Sequence, residues 1–159
     1  MDDRATSILQ DSAHQVKAGR FSSKDRGRFE SGAARSPHAR ILYVDDEANI
    51  SRVIKYGLEK FGFSVDTHAS PRSALSSFRA GLYDLLLIDV RLPEIDGLEL
   101  CSQLLKIDAG VKVCFITAYE LEEEEVRKRI EGLKSASIVK KPVSFDELVA
   151  KIKNEMQSV

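Results

Sequence analysis

From Arg40 onward, short apolar runs alternate with stretches in which apolar residues recur every three or four positions. Residues 41–44 form a continuous apolar run, as a strand buried on both faces of a parallel sheet requires. Ile50, Val53, Ile54, Leu58 and Phe61 then fall on one helical face, and Gly62 stops the pattern. Residues 63–67 alternate in the manner of an outer strand. Ser70-Pro71 opens a second helix, with Ser as cap and Pro at the first helical position; Ala74, Leu75 and Phe78 share its face and Gly81 closes it. Residues 83–90 contain Leu85-Leu86-Leu87-Ile88, the most hydrophobic run in the chain and the candidate central strand. Asp96-Gly97 reads as a turn into a third helix marked by Leu98, Cys101, Leu104 and Leu105, and residues 111–116 as a fourth strand. The spacing predicts a fourth helix over 121–133, on which Glu123 with Arg127, Glu124 with Lys128 and Glu125 with Arg129 stand four apart, acid first, the favourable order. Residues 138–140 make a short fifth strand. Ser144 and Glu147 form an S-x-x-E capping box ahead of Leu148, Val149, Ile152 and Met156.

Five strands alternating with five helices predict an α/β fold with an open, doubly wound parallel sheet. Crossovers in such a sheet are right-handed, and ligands bind at the carboxyl ends of the strands near the topological switch point. Residues 1–39 fit no such pattern. Their large apolar residues are Ile8, Leu9, Val16, Phe21 and Phe29, too few to offset the entropy of ordering. They read either as a disordered leader, with a short helix around Thr6 to Lys17 open to it, or as a weak basic contact segment. The domain is expected over 40–159.

At 159 residues, 43% hydrophobic and 31% charged, the composition is that of an ordinary globular domain. The net charge of −1 provides no overall field to recruit nucleic acid or an acidic membrane surface. It hides an asymmetry, since residues 1–40 carry eight Lys/Arg against five Asp/Glu, net +3, and the remainder is net −4. Cys101 and Cys114 lie in apolar runs without ligand spacing, as buried hydrophobes rather than a disulfide or zinc site. No run is long enough for a membrane span and the N-terminus lacks the apolar core of a secretory signal, so a reducing, cytoplasmic setting is expected.

The strand ends carry the chemistry. The first ends in Asp45-Asp46-Glu47, the third in Asp89, the fourth in Thr117-Ala118 and the fifth in Lys140-Lys141-Pro142. Alone, each has a plain reading: a helix cap, a turn residue, a strand-end hydroxyl, a solvated lysine pair. In the predicted sheet they converge on one cleft. Crowded carboxylates raise one another's pKa values unless a cation intervenes, and Mg2+ prefers oxygen ligands from one or two carboxylates plus phosphate. Asp46 and Asp89 are the expected direct ligands, with Asp45 close by or acting through water and the Arg91 carbonyl completing the set. Such a site suits phosphoryl transfer to a carboxylate nucleophile. Lys141 would face the phosphoryl oxygens, the Thr117 hydroxyl would donate to one of them, and small Ala118 leaves room.

Residues 40–156 resemble a response-regulator receiver domain of two-component signalling. The resemblance rests on Ile41-Leu42-Tyr43-Val44-Asp45-Asp46-Glu47 and on Leu87-Ile88-Asp89-Val90-Arg91-Leu92-Pro93-Glu94-Ile95-Asp96-Gly97-Leu98-Glu99-Leu100. It continues through Phe115-Ile116-Thr117-Ala118-Tyr119 and Val139-Lys140-Lys141-Pro142-Val143. All four motifs stand in order. The resemblance implies a flavodoxin-like fold and phosphorylation of Asp89 by a histidine kinase or histidine phosphotransfer protein. It implies metal binding through the Asp45 and Asp46 carboxylates and a cis Lys141-Pro142 bond. Three residues before Lys141, where the family commonly carries an aromatic switch residue, stands Ile138, so a moving ring cannot report phosphorylation here.

Two other functions compete. An aspartate-nucleophile phosphatase of the haloacid-dehalogenase type carries a second acid two residues after its nucleophile, where this chain has Arg91. A receiver-like binding module that is not phosphorylated is expected to lose an acid, the threonine or the lysine, and all are present. His14, His38 and His68 show no partner spacing. The acidic run 122–125 reads as a solvated face rather than a partner surface. Nothing before Arg40 resembles a helix-turn-helix and three residues follow Met156, so action through protein–protein contact without direct nucleic-acid binding is the expectation, as a stand-alone receiver that catalyses only its own phosphorylation and dephosphorylation.

Overall fold

In a computed structural model, which describes residues 38–158, ten elements alternate. They are β1 (Arg40–Val44), α1 (Ala48–Lys60), β2 (Ser64–His68), α2 (Pro71–Ser77), β3 (Leu85–Asp89), α3 (Gly97–Ile107), β4 (Lys112–Thr117), α4 (Glu123–Arg129), β5 (Ser137–Lys140) and α5 (Phe145–Gln157). The strands form one parallel sheet in the order β2-β1-β3-β4-β5. The expected doubly wound fold is therefore present. Its switch point lies between β1 and β3, where the crossovers turn to opposite sides. The expectations for residues 1–37 fall outside the described residues. Just ahead of β1, the Ala39 carbonyl accepts the Ser64 N–H at 2.9 Å.

Strand periodicity sorts the core into two layers. Ile41, Tyr43, Leu85, Leu87, Cys114, Ile116 and Val139 pack with Ile54 and Leu58 of α1 and Leu148, Val149 and Ile152 of α5. Leu42, Val44, Leu86, Ile88, Val113 and Phe115 pack with Ala74 of α2, with Leu98, Cys101 and Leu104 of α3, and with Val126 of α4. Both cysteines are buried, as expected.

The caps follow the sequence signals. Ser70 accepts the Ser73 N–H, Asp96 the Glu99 N–H and Ser144 the Glu147 N–H. Gly62 closes α1 at φ +91°, the left-handed conformation that suits glycine. The third helix needs its glycine for a different reason. A Cβ at Gly97 would stand 2.2 Å from the Asp89 carbonyl oxygen and 2.9 Å from the Val90 Cα, and the Gly97 N–H donates to the Val90 carbonyl at 2.8 Å. The loop over residues 91–96 is thereby pinched shut at its base. Glu94 sits in that loop at φ +72°.

Two expectations are corrected. The fourth helix spans Glu123–Arg129 rather than 121–133, because Ile130 is extended and Gly132 turns at φ +81°. Of its three expected ion pairs, Glu124 with Lys128 (2.9 Å) and Glu123 with Arg127 (3.9 Å) are present, whereas Arg129 reaches across to Asp96 at 2.7 Å. The second helix also stops early, at Ser77. Phe78 turns into extended backbone and its ring stacks on Tyr83 at 5.8 Å, and β3 begins two residues later, at Leu85. Glu122, Glu123, Glu124 and Glu125 are all exposed.

Candidate functional site at the carboxyl end of the sheet

Main-chain bonds join the strand ends above the switch point. The Asp45 N–H donates to the His68 carbonyl, the Val90 N–H to that of Ile116 and the Lys141 N–H to that of Thr117, at 3.1, 3.2 and 2.8 Å. Strand parity then selects what points together. Asp45, Asp89 and Lys141 each lie two residues beyond a member of the α1/α5 layer (Tyr43, Leu87 and Val139), so their side chains meet on that side. Thr117 follows Phe115 and belongs to the opposite parity. The Lys141-Pro142 peptide bond is cis, as the resemblance implies.

Lys141 Nζ donates to Asp89 Oδ2 at 2.8 Å and approaches Asp45 Oδ2 at 3.3 Å. Asp45 is fully buried. Its Oδ2 also accepts the Tyr43 hydroxyl at 2.6 Å, and its Oδ1 accepts the Glu47 N–H at 2.9 Å. Asp89 Oδ1 accepts the Arg91 N–H at 3.0 Å. The Arg91 guanidinium stacks over the exposed Tyr119 ring, 4.0 Å from its centroid, so the loops after β3 and β4 touch beside the cleft. The buried Thr117 hydroxyl oxygen accepts the Tyr119 N–H at 3.1 Å, which leaves its own proton free to donate.

Of the expected site residues, the structure brings Asp45, Asp89 and Lys141 into direct contact, with Arg91 joining through its main chain. The Asp46 side chain is exposed. Among the described residues, the carboxylates whose oxygens lie within 4.8 Å of one another are those of Asp45, Glu47 and Asp89. Glu47 has no assigned role in the sequence reading. Its signal there was the acid two residues beyond Asp45, which a tight turn folds back over the strand end.

The electrostatics are those of a crowded acid pocket. Burial pushes the Asp89 carboxyl above its ordinary value; Lys141 pulls it back and the Asp45 charge pushes it up again. Glu47 is raised as well, first by burial and then by the neighbouring acids, against the pull of Lys141. Burial alone would lower Lys141, but its bond to Asp89 and the field of Asp45 outweigh that and hold it above its ordinary value. Burial holds the Tyr43 phenol well above its ordinary value, so it stays protonated as a donor. An excess of buried oxygen donors over ammonium is the donor set that a hard divalent cation fits.

A doubly wound sheet in the order 2-1-3-4-5 places the chain in the flavodoxin-like class of α/β folds, here with acids and a lysine gathered at the switch point. Residues 41–153 match the response regulator receiver domain family, and the chain belongs to it. It is similar to the transcriptional regulatory protein PcoR of Escherichia coli, with 34% identity over 116 residues, 72% of this chain and 50% of that protein. A CheY-like receiver domain from Methanospirillum hungatei is 30% identical, with a TM-score of 0.66 over 75% of this chain and 94% of that one. The response regulator TrrA from Thermotoga maritima, solved in complex with Mg2+-BeF, is 34% identical, with a TM-score of 0.63 over 73% of this chain and 97% of that one. The chain spans about half the length of the curated relatives it matches. Those relatives are named as transcriptional regulatory proteins, so the expectation of no direct nucleic-acid binding finds no support in them. No helix among the described residues is long and apolar enough to cross a membrane.

Proposed function

We propose that this protein accepts a phosphoryl group on Asp89 from a histidine kinase or histidine phosphotransfer protein, in the presence of Mg2+, and passes the signal on through protein contacts. The observation that carries this reading is the meeting of Asp45, Asp89 and Lys141 at the switch point, with the ammonium 2.8 Å from Asp89 Oδ2. A carboxylate oxygen of Asp89 attacks phosphorus in line, the bond from phosphorus to the donor's imidazole nitrogen breaks with its electron pair, and the imidazole then takes up a proton. The product is an acyl phosphate. Lys141 neutralises a phosphoryl oxygen and the free proton of Thr117 donates to another. The protein thus catalyses its own modification and no conventional turnover.

Asp45, Glu47 and Asp89 supply carboxylates for the metal, and we retain Asp46 and the Arg91 carbonyl as ligands reachable from the same turns. When bound, Mg2+ offsets the charge of the acids and of the incoming phosphoryl group. Incubation with acetyl phosphate and Mg2+ is expected to add one phosphoryl group, read by intact mass, and Asp89→Asn to abolish it. A mass shift that survives this substitution overturns the assignment.

A further inference from the structure

Tyr43 is surrounded by aliphatic residues. Ile41, Leu85, Leu87, Ile116 and Val139 are its companions in the α1/α5 layer, and it is fully buried. An aliphatic side chain would serve that layer equally well, so the hydroxyl is what asks for an explanation. It lies two residues before Asp45 on the same face of β1 and donates to Asp45 Oδ2 at 2.6 Å, the length of a charge-assisted O–H···O⁻ bond.

That same oxygen is the one Lys141 approaches at 3.3 Å, while Lys141 holds Asp89 Oδ2 at 2.8 Å. A carboxylate oxygen offers about two lone-pair sites, so phenol and ammonium share Asp45 Oδ2 and the phenol has the shorter bond. Asp45 Oδ1 is held by the Glu47 N–H. The Asp45 carboxylate is therefore fixed at both oxygens by groups on its own strand and turn. Lys141 is a compact charge on a flexible stem, standing between two buried anions, and what it favours depends on how much charge Asp45 still presents.

We infer that Tyr43 is a positioning residue: by occupying Asp45 Oδ2 it holds that carboxylate in place and leaves the Lys141 ammonium on Asp89. This rests on the reading of Asp89 as the phosphoacceptor. Without the hydroxyl, Asp45 Oδ2 loses its tightest partner and draws Lys141 away from the residue that reacts. The molecule contains its own control. Tyr83 donates to Asp66 at 2.8 Å, a second tyrosine–aspartate bond remote from the cleft.

The test compares Tyr43→Phe with Tyr83→Phe in the full chain. The Lys141 side-chain NMR signal, assigned through Lys141→Arg, is read without any phosphodonor. The maximal rate of phosphorylation and the half-saturating acetyl phosphate concentration are then read by mass at saturating Mg2+. Tyr43→Phe is expected to shift the Lys141 signal and lower the maximal rate about tenfold, the scale of a lost partner to a metal-site ligand, with half-saturation unchanged. Tyr83→Phe is expected to leave all three at wild-type values. A wild-type Lys141 signal and rate in Tyr43→Phe, or equal effects from Tyr83→Phe, overturns the inference.

If Tyr43→Phe does not fold, Tyr43→Phe/Asp45→Asn removes the charge along with its donor and is compared with Asp45→Asn. The Lys141 signal, which needs no uptake, is the readout: the same signal in the two variants supports the inference, and a signal displaced in the double variant overturns it. If the wild type takes up no phosphoryl group, the phosphoacceptor reading falls, whereas the Lys141 signal still decides whether Tyr43 places the ammonium.

Discussion

The two ends of the sheet treat their charged groups in opposite ways. At the carboxyl end, Asp45, Glu47 and Asp89 crowd together and Lys141 bridges two of them. At the amino end, Arg40 lays two nitrogens on Asp66 Oδ2 at 3.0 and 2.7 Å, and the Tyr83 hydroxyl donates to the same oxygen. There too, Glu155, which is nearly buried, takes the Ser135 and Ser137 hydroxyls at 2.5 and 2.9 Å. Burial pushes carboxyls upward at both ends. Asp66 nevertheless ends below its ordinary value, because its bonds to Tyr83 and Arg40 win, whereas Glu47 and Asp89 end above theirs. The amino end is satisfied from within the protein. The carboxyl end keeps an excess of carboxylates over ammonium, the donor set that a hard divalent cation fits.

Three substitutions probe that contrast. The largest effect is expected from Lys141→Met, which removes the ammonium facing Asp89. Phosphoryl uptake from acetyl phosphate should fall by roughly 10²–10³, the usual loss for a preorganised group that meets developing charge. A rate within a factor of three of wild type would show that the lysine is a structural counter-charge only. At the amino end, Glu155→Ala leaves two serine hydroxyls without their acceptor and should cost about 2 kcal/mol in urea unfolding, with the phosphorylation rate unchanged. If the rate falls with the stability, the two ends are coupled and the contrast breaks.

The smallest effect has the opposite sign. The folded-state pKa of Asp89 is raised, so the folded protein binds that proton more tightly than the unfolded chain does, and ionised Asp89 costs stability at neutral pH. Asp89→Asn should therefore raise Tm at pH 7. The gain should vanish below roughly pH 4, where the unfolded carboxyl is protonated too. Thermal melts at both pH values check the sign, and a lower Tm at pH 7 would mean that the Lys141 bond outweighs the burial.

Much of the fold was legible because its signals are local. The run at residues 85–88 marks the central strand, Ser70-Pro71 and Ser144 mark helix starts, and the alternation ending at Thr67 marks the edge strand β2. What the pattern missed depends on distant partners. Arg129 was expected on Glu125 but meets Asp96, 33 residues away in sequence. Phe78 leaves its helix to stack on Tyr83. In the site, the convergence of Asp45, Asp89 and Lys141 follows from strand parity once the sheet order is known. Glu47 was missed because its place depends on a turn that its own N–H makes to Asp45. Tyr43 was hidden because, in an apolar run, a phenol counts as one more hydrophobe.

The pinched loop over residues 91–96 bears on how this region tolerates rebuilding. Its base is shut by the Gly97-to-Val90 hydrogen bond and by the absence of a side chain at Gly97. Length changes near Arg91 or Asp96 would pry that base open and displace the end of β3. The tip at Glu94, already in a left-handed turn, is where extra residues can be threaded in while the strand below stays put. A peptide graft or a fluorophore attachment that must leave Asp89 undisturbed therefore belongs at the tip, and the glycine at 97 must be kept in any redesign.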